Sequence, residues 1–162
     1  MVVHTDEGTS ISLGGLGVIH KLSGQDAAES LAIVEHPLQP GTLGAAPHVH
    51  LNEDEYSFVL EGEVGVQLGE QGFTATSGTY VLKPQGIPHT FWNAGAQPAR
   101  TVENISPAGF EKHFDEIGEV VWAAAGGEPD FAKLTEIADR YGLTMYMERV
   151  PALLEKYNLR LG

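Results

Sequence analysis

The sequence predicts an all-β domain of the sandwich or barrel type, followed by a helical extension. Before Pro107, short apolar or alternating runs such as EYSFVLEGEVGVQLG are separated by glycine or proline. Breaks at intervals of roughly 8–12 residues are typical of an all-β sandwich or barrel. After Pro107 the apolar residues recur with a helical period. We therefore expect a β-barrel domain at residues 1–106 and a helical extension at residues 107–162 that packs on the barrel.

Three glycine-containing segments are predicted to connect neighbouring strands of the barrel. They are Gly69-Glu70-Gln71-Gly72, Ser77-Gly78 and Pro84-Gln85-Gly86. Glycine tolerates the positive φ angles of tight hairpins, and proline presets the φ angle at the start of a turn.

Three helices are predicted after Pro107. In PDFAKLTEIADRYG, Pro129 suits the first turn of a helix and Gly142 suits the left-handed position just past its end. The segment FEKHFDEIG at 110–118 aligns three apolar side chains on one helical face, and Pro151 can open a third helix. These helices are too short to enclose a core of their own, so we expect them to cover the barrel.

The composition narrows the classes of partner. A net charge of −13 argues against nucleic acid and anionic membranes as partners, since phosphates repel an acidic surface. It says little about the substrate, which is expected to be a small molecule. The apolar runs fall short of the roughly 20 residues that span a bilayer. The N-terminal sequence shows no secretory pattern, so a cytoplasmic location is expected. Without cysteine, the chain has no thiolate nucleophile or sulfur ligand.

The segment PHVHLNEDE carries the residues most suited to metal chemistry. His48 and His50 lie two positions apart, so on a strand their imidazoles point the same way and can converge on one ion. An exposed pair on an edge strand is the alternative. Three acids follow, and strand alternation with Tyr56 inward would turn Asp54 rather than Glu55 toward the histidines. From alternation by itself, the identity of the carboxylate partner stays open.

Two longer spacings resemble the signature motifs of the cupin superfamily. The first reads H-x-H, four residues, Glu55, six residues, Gly62. The second reads Gly78, five residues, Pro84, one, Gly86, two, His89, three, Asn93. The first motif departs from the family only at its opening, where Thr42 replaces a glycine. The resemblance covers roughly residues 30–105.

The resemblance implies a cupin jelly-roll barrel with a C-terminal helical extension. It implies that His48, His50, Glu55 and His89 point into the barrel around one divalent transition metal ion, namely iron, nickel, manganese, cobalt, zinc or copper. On this interpretation Glu55 is the ligand, and Glu53 and Asp54 form a solvated turn. Asp54 is also considered as an acceptor for the proton of a ligand histidine.

A wider pattern consists of PGTLGAAPHVHLNEDEYSFVLEGE in the barrel and GFEKHFDEIG after it. This pattern is similar to small single-domain cupins of the quercetin 2,3-dioxygenase type. That resemblance implies a metal-dependent dioxygenase that cleaves a flavonol or another enol or phenolic molecule, with Glu55 as general base. Two alternatives remain: a metal-dependent isomerase or lyase, and a barrel that binds a small molecule without catalysis.

Several further residues receive predictions from their positions. Pocket candidates near the metal are Ser57, Phe91, Leu43 and Val102, and pocket or lid candidates from the extension are Phe114, Ile117 and Met145. His4, His20, His36 and His113 are expected on the surface or in loops. Tyr56, Phe58 and Leu60 would need covering if they face outward. In the cupin family that this sequence resembles, such a surface is often buried by a second subunit or by terminal segments, so the resemblance implies a homodimer.

Overall fold

The barrel is formed by two antiparallel sheets, and the computed structural model describes residues 1–161. One sheet has the strand order β1-β2-β3-β10-β5-β8, and the other has the order β11-β4-β9-β6-β7, with β12 beside β4. This architecture confirms the predicted mostly-β fold with a C-terminal helical region. The strands, in chain order, are β1 (Thr9–Ser12), β2 (Gly17–Leu22), β3 (Ala32–Leu38), β4 (Thr42–His50), β5 (Asp54–Glu61), β6 (Glu63–Leu68), β7 (Gln71–Thr76), β8 (Tyr80–Lys83), β9 (His89–Asn93), β10 (Ala99–Ser106), β11 (Leu143–Met145) and β12 (Arg160–Leu161).

The side chains of β5 alternate between the barrel interior and the outer surface. Glu55, Ser57 and Val59 are buried, whereas the residues between them face outward. Outward-facing Tyr56 lies opposite Leu82 of β8, and Phe58 lies opposite Tyr80, which is 79% exposed. The homodimer that would cover this apolar face stays a prediction.

The main core lies between the sheets and under the C-terminal extension. Aliphatic side chains from both sheets form it, together with Phe110 and Phe114 of the extension. The barrel members that are almost fully buried include Val18, Val34, Leu38, Val59, Val64, Val66 and Ile105. A smaller cluster on the other face of β4 and β9 joins Leu43 and Trp92 to Val150.

The extension contains α1 (Glu111–Ala123), α2 (Phe131–Arg140) and α3 (Val150–Tyr157). Asp130 caps α2 by accepting a hydrogen bond from the backbone amide of Lys133 at 3.0 Å, and Gly142 follows that helix with φ of +66°. The first helix runs five residues beyond the predicted 110–118 segment, to Ala123. Within residues 1–161, none of the helices has the length and apolar character needed to cross a membrane.

The extension also contributes strands, which the sequence did not predict. β11 pairs with β4 so that Leu143 lies opposite His50 and Met145 lies opposite His48. β12 pairs with the beginning of β4 in parallel. Because an unpaired edge exposes backbone donors and acceptors, these two short strands cover both ends of the outer edge of β4. The division at residue 107 into barrel and extension stays a prediction.

Candidate metal centre

Four buried side chains from three strands converge inside the barrel. His48 and His50 end β4, Glu55 lies near the start of β5, and His89 begins β9. The pairing of β4 with β9 places His48 opposite His89. One ligand atom from each of the four residues lies within 4.8 Å of all the others. The cluster can therefore hold a metal ion.

The three imidazoles are oriented so that the same nitrogen of each is left for an ion. Each Nδ1 has an oxygen acceptor: His48 with Ala46 O at 2.7 Å, His50 with Glu53 Oε1 at 2.5 Å, and His89 with Ile87 O at 3.1 Å. A proton held at Nδ1 leaves the Nε2 lone pair available for coordination. His50 Nε2 is buried and has no hydrogen-bond partner among residues 1–161. This orphaned atom fits a bound metal.

The protonation state of the cluster also suits a metal. Burial lowers the pKa of His48 well below its ordinary value, and burial lowers that of His89. Burial would raise the pKa of Glu55, but the Lys83 ammonium beside it holds that pKa well below the ordinary value. Neutral imidazoles and an ionised carboxylate are the forms that coordinate a cation.

A buried ion-pair network behind Glu55 was missed by sequence reasoning. Lys83 Nζ lies 2.8 Å from Glu55 Oε2 and 2.7 Å from Glu103 Oε2. Ser57 Oγ donates to Glu103 Oε2 at 2.9 Å. Burial raises the pKa of Glu103 to about 7. Alternation along β10, where Thr101, Glu103 and Ile105 are buried, is the signal that could have revealed Glu103.

Glu53 is not part of a solvated turn, and that prediction was wrong. The side chain is only 4% exposed, and it accepts the short hydrogen bond from His50. The chain reverses between β4 and β5, which folds Glu53 back under the histidine three positions earlier. Asp54 instead accepts a hydrogen bond from the backbone amide of Gln85 at 2.8 Å, on the exposed side of the turn. The proton acceptor for a ligand histidine is therefore Glu53, not Asp54.

A cavity of about 160 Å³ adjoins the cluster, and the C-terminal extension forms part of its wall. His48, Glu55 and Lys83 give it a polar side. The other lining side chains are mostly apolar and include Phe91 from the barrel and, from the extension, Phe110, Phe114, Ile117, Leu143 and Met145. Apolar walls bind water poorly, and electrostatic interactions are stronger where water is excluded. The polar groups on one side of the cavity are therefore expected to interact strongly with a bound molecule.

The four predicted pocket residues separate into two groups. Phe91 lines the cavity, and Ser57 lies behind it in the Glu103 network. Leu43 does not line it, because this side chain points to the other face of β4 and packs with Trp92. Val102 does not line it either, because it alternates with the inward-facing Thr101 and Glu103 on β10. For these two residues the prediction was wrong.

Two of the histidines expected at the surface are buried in the cavity wall. His36 donates from Nδ1 to the carbonyl of Gly17 at 3.1 Å, whereas Nδ1 of His113 has no partner among the described residues 1–161. Burial lowers the pKa of each to about 4, so both are neutral at pH 7. His4 is exposed, as predicted, and His20 is half-buried with Nε2 3.2 Å from Asp115 Oδ1. For His36 and His113 the prediction was wrong, since isolated histidines carry no sequence signal of burial.

The depressed pKa of His36 predicts a contribution to stability that disappears in acid. Between pH 6.5 and about 4, the unfolded chain protonates this residue but the folded chain does not. Stability from His36 is therefore present above pH 6.5 and is lost as pH falls toward about 4. We expect His36→Phe to flatten the pH dependence of the free energy of unfolding by up to about 1.4 kcal/mol per pH unit.

Urea denaturation of the metal-free protein, in chelator and at several pH values, measures this effect. His4→Phe makes the same change at an exposed position, and its profile should run parallel to that of the wild type. If the His36→Phe profile were also parallel, the buried neutral state of His36 would be refuted.

Comparisons with known proteins give a family match and a curated relative. Residues 35–104 match a family model described as a cupin domain. The curated HTH-type transcriptional regulator PuuR of Escherichia coli (strain K12) is 31% identical over 111 residues, which is 68% of this chain. The chain spans 58% of the length of that relative.

Solved structures share the barrel at low sequence identity. KdgF from Halomonas sp. has a TM-score of 0.61 at 18% identity and covers 69% of this chain and 99% of its own. A protein described as a predicted oxalate decarboxylase from Thermotoga maritima has a TM-score of 0.62 at 21% identity, with coverages of 66% and 99%. The polyketide cyclase RemF from Streptomyces resistomycificus has a TM-score of 0.56 at 22% identity, with coverages of 65% and 78%. These likenesses show a shared fold on which relatives carry differently named activities.

Proposed function

We propose that this chain, which contains a cupin domain, is a metal-dependent enzyme that dioxygenates a small enol or phenol. The observation that carries the proposal is the position of the His48, His50, Glu55 and His89 cluster at one side of a partly enclosed, mostly apolar cavity, which His48 and Glu55 line. A structural metal site needs no adjoining cavity, whereas a catalytic site leaves room for a substrate beside the ion.

The donor set suits a borderline transition metal. Three imidazole nitrogens and one carboxylate oxygen are compatible with iron, nickel, manganese, cobalt, zinc or copper. When bound, such an ion supplies Lewis acidity and, if it is redox-active, electron transfer to dioxygen. Which of these metals is bound depends on the supply of each metal in the cell as well as on these ligands.

Glu55 is the proposed general base for the substrate hydroxyl. Its carboxylate is ionised, lines the cavity and is held by Lys83 at 2.8 Å. An ionised carboxylate can accept the hydroxyl proton of an enol or phenol, which leaves a negative charge on the oxygen of the substrate. The nearby Lys83 ammonium then stabilises the negative charge at this end of the cavity. The apolar walls limit the access of water to the reacting molecule.

The cavity favours a substrate smaller than a flavonol. A cavity of roughly 150 Å³ holds a molecule of the size of benzene, and sites for drug-sized ligands usually exceed about 300 Å³. At about 160 Å³, the cavity admits one ring or an acyclic molecule of similar size. A three-ring flavonol would have to extend out of this partly enclosed cavity or displace the wall formed by the extension. We therefore propose single-ring phenols and small enols as substrates.

The Glu103–Lys83 pair favours a second candidate, a metal-dependent isomerase or lyase. Glu103 lines the cavity, and burial raises its pKa to about 7. A carboxyl group with that pKa can give or take a proton near neutral pH, as isomerisation through an enolate requires. Such a reaction uses no dioxygen, so the two candidate functions differ in the amount of O₂ consumed for each substrate molecule.

Elemental analysis of the natively produced protein, paired with oxygen-uptake measurements on a panel of enolisable phenols, tests the proposal. Dioxygenation breaks the enol carbon–carbon double bond, gives each carbon one oxygen atom and needs no external reductant. We expect one O₂ consumed for each substrate molecule, and a loss of at least roughly 100-fold in rate for Glu55→Gln. Conversion without oxygen uptake would support the isomerase instead, and binding without conversion would contradict both enzymatic candidates.

A further inference from the structure

We propose that Met145 is a specificity-determining residue that lies at the opening of the cavity and controls which molecules reach the metal ligands. The inference rests on the proposed function, since it concerns entry to the same cavity. It adds a limit on the substrate, which must be narrow enough to pass the Met145 side chain. The residue belongs to β11 of the extension and lies outside the two histidine motifs of the barrel.

Met145 lies where the cavity wall meets the solvent. Its side chain lines the cavity, and the residue is 36% exposed. All the other cavity-lining residues in the described chain, residues 1–161, are buried or half-buried. Phe110 and Leu143, which belong to the same wall, are only 6% and 5% exposed. A residue that faces both the cavity and the solvent marks the position of the opening.

A gap in the strands beside β4 coincides with this position. On the outer edge of β4, β11 pairs with residues 48–50 and β12 pairs with residues 42–43. The stretch between these two pairings has no strand partner on that edge among the described residues. Gly44 and Ala45 belong to this stretch, line the cavity and are half-buried. Because Met145 is the last residue of β11, it lies at the border of the gap.

The opening lies next to one of the metal ligands. Met145 is paired with His48 across β11 and β4, and both residues line the cavity. Paired residues on antiparallel strands point to the same side of the sheet, with Cβ atoms about 4.5–5.5 Å apart. A molecule that passes Met145 therefore arrives directly at the His48 side of the cluster.

The Met145 side chain can move while the surrounding fold stays in place. Methionine is unbranched and has three rotatable side-chain bonds, and exposed side chains change rotamer within picoseconds to nanoseconds. The strand itself is held by its pairing with β4, and the next amide, that of Tyr146, donates to the carbonyl of Pro47 at 2.8 Å. Phe110 and Leu143 belong to the main core, so they are fixed by packing. Met145 is thus the side chain of this wall that can open a path to the metal ligands.

Stopped-flow binding of two probes to the cobalt-loaded protein under argon tests the inference. Azide is a narrow rod and imidazole is a flat ring, and each changes the absorption spectrum of cobalt when it binds at an open coordination position. We expect Met145→Ala to bind imidazole roughly tenfold faster than the wild type and Met145→Trp roughly tenfold more slowly, because association is slow when a side chain must first move. The association rate of azide should change by less than about twofold in Met145→Ala.

Met147→Ala is the matched control in the same segment. Met147 is 46% exposed but does not line the cavity. Its replacement should leave the association rates of both probes unchanged. Circular dichroism of each variant checks that the fold is retained.

Dissociation rates separate a residue at the opening from a residue that contacts the bound molecule. A side chain at the opening slows entry and exit alike, so Met145→Ala should raise both rates for imidazole and leave its dissociation constant within about threefold of the wild-type value. Loss of a direct contact would instead raise the dissociation rate alone and weaken binding.

Equal imidazole association rates in the wild type, Met145→Ala and Met145→Trp would overturn the inference, and so would a faster dissociation of imidazole from Met145→Ala without faster association. If neither probe bound the wild type, the inference would be refuted together with the open metal position that the proposed function requires. Binding of these probes needs no dioxygen. A failure of the proposed oxygenase activity would therefore appear separately, as an absence of oxygen uptake.

Discussion

Glu55→Gln is expected to lower the affinity for zinc by roughly 100-fold or more, whereas Asp54→Asn should leave it unchanged. Glu55 is the one carboxylate among the four converging ligands, so the amide removes both the negative charge and the strongest oxygen donor. Glu53→Gln should fall between them, with a loss of roughly 10- to 100-fold, the usual effect of removing a hydrogen bond to a ligand histidine. Glu53 accepts from His50 Nδ1 at 2.5 Å and so orients that ring.

Competition with a chelator of known zinc affinity measures all three variants against the wild type. Asp54→Asn is the matched control, because Asp54 lies in the same turn but bonds only to the exposed loop at Gln85 and, at 3.4 Å, to the Tyr56 hydroxyl. Circular dichroism of each metal-free variant checks that the fold is retained. A larger loss for Asp54→Asn than for Glu55→Gln would refute the ligand assignment, and an unchanged affinity in Glu53→Gln would refute its orienting role.

Lys83→Met is expected to destabilise the metal-free protein by about 3–5 kcal/mol, the usual cost of removing one partner from a buried ion pair. Lys83 is buried between Glu55 and Glu103 at 2.8 and 2.7 Å. Without its ammonium, two buried carboxyl groups would lose their compensating charge. Burial by itself would lower the pKa of Lys83, but the nearby Glu103 and Glu55 raise that pKa above its ordinary value. The two carboxyl groups therefore stabilise the charged form of Lys83.

Urea denaturation in chelator, at pH 7, measures this cost. Lys112→Met is the matched control at an exposed position of α1, where the change should stay within about 0.5 kcal/mol. The double variant Lys83→Met/Glu103→Gln should be no less stable than Lys83→Met, because the glutamine amide replaces a buried carboxyl group that has already lost its cation. If the double variant were less stable than the single one, the charge network would not be the source of the cost.

The structure divides the site between a barrel that provides the metal ligands and an extension that completes the cavity. The barrel supplies His48, His50, Glu55 and His89. The extension supplies Phe110, Phe114 and Ile117 around α1, and β11 adds Leu143 and Met145. Selection among small substrates is therefore expected to depend on the extension, since its side chains set the size of the cavity and, at Met145, border its opening.

The sequence by itself determined the features that depend on local spacing. Alternation, together with glycine and proline breaks, predicted the β domain, and the helical period after Pro107 predicted the start of the extension. The two histidine motifs pointed to Glu55 rather than Asp54, although alternation alone favoured Asp54. Alternation favoured Asp54 on the assumption that Tyr56 faces inward, and that assumption was wrong, because Tyr56 faces outward on β5. The turn between β4 and β5 interrupts the alternation, so that His50 and Glu55 both face inward.

Only the tertiary structure decided the features that depend on distant pairings. Glu103 meets Lys83 because β5 lies between β10 and β8 in the same sheet. Glu53 reaches His50 because the chain folds back, and a turn leaves no periodic signal. Leu43 and Val102 lie away from the cavity because the faces of β4 and β10 are set by their neighbours. His113 enters the wall because β11 pairs with β4 and α1 packs on the barrel, and burial by such long-range packing cannot be read from the spacing of single residues.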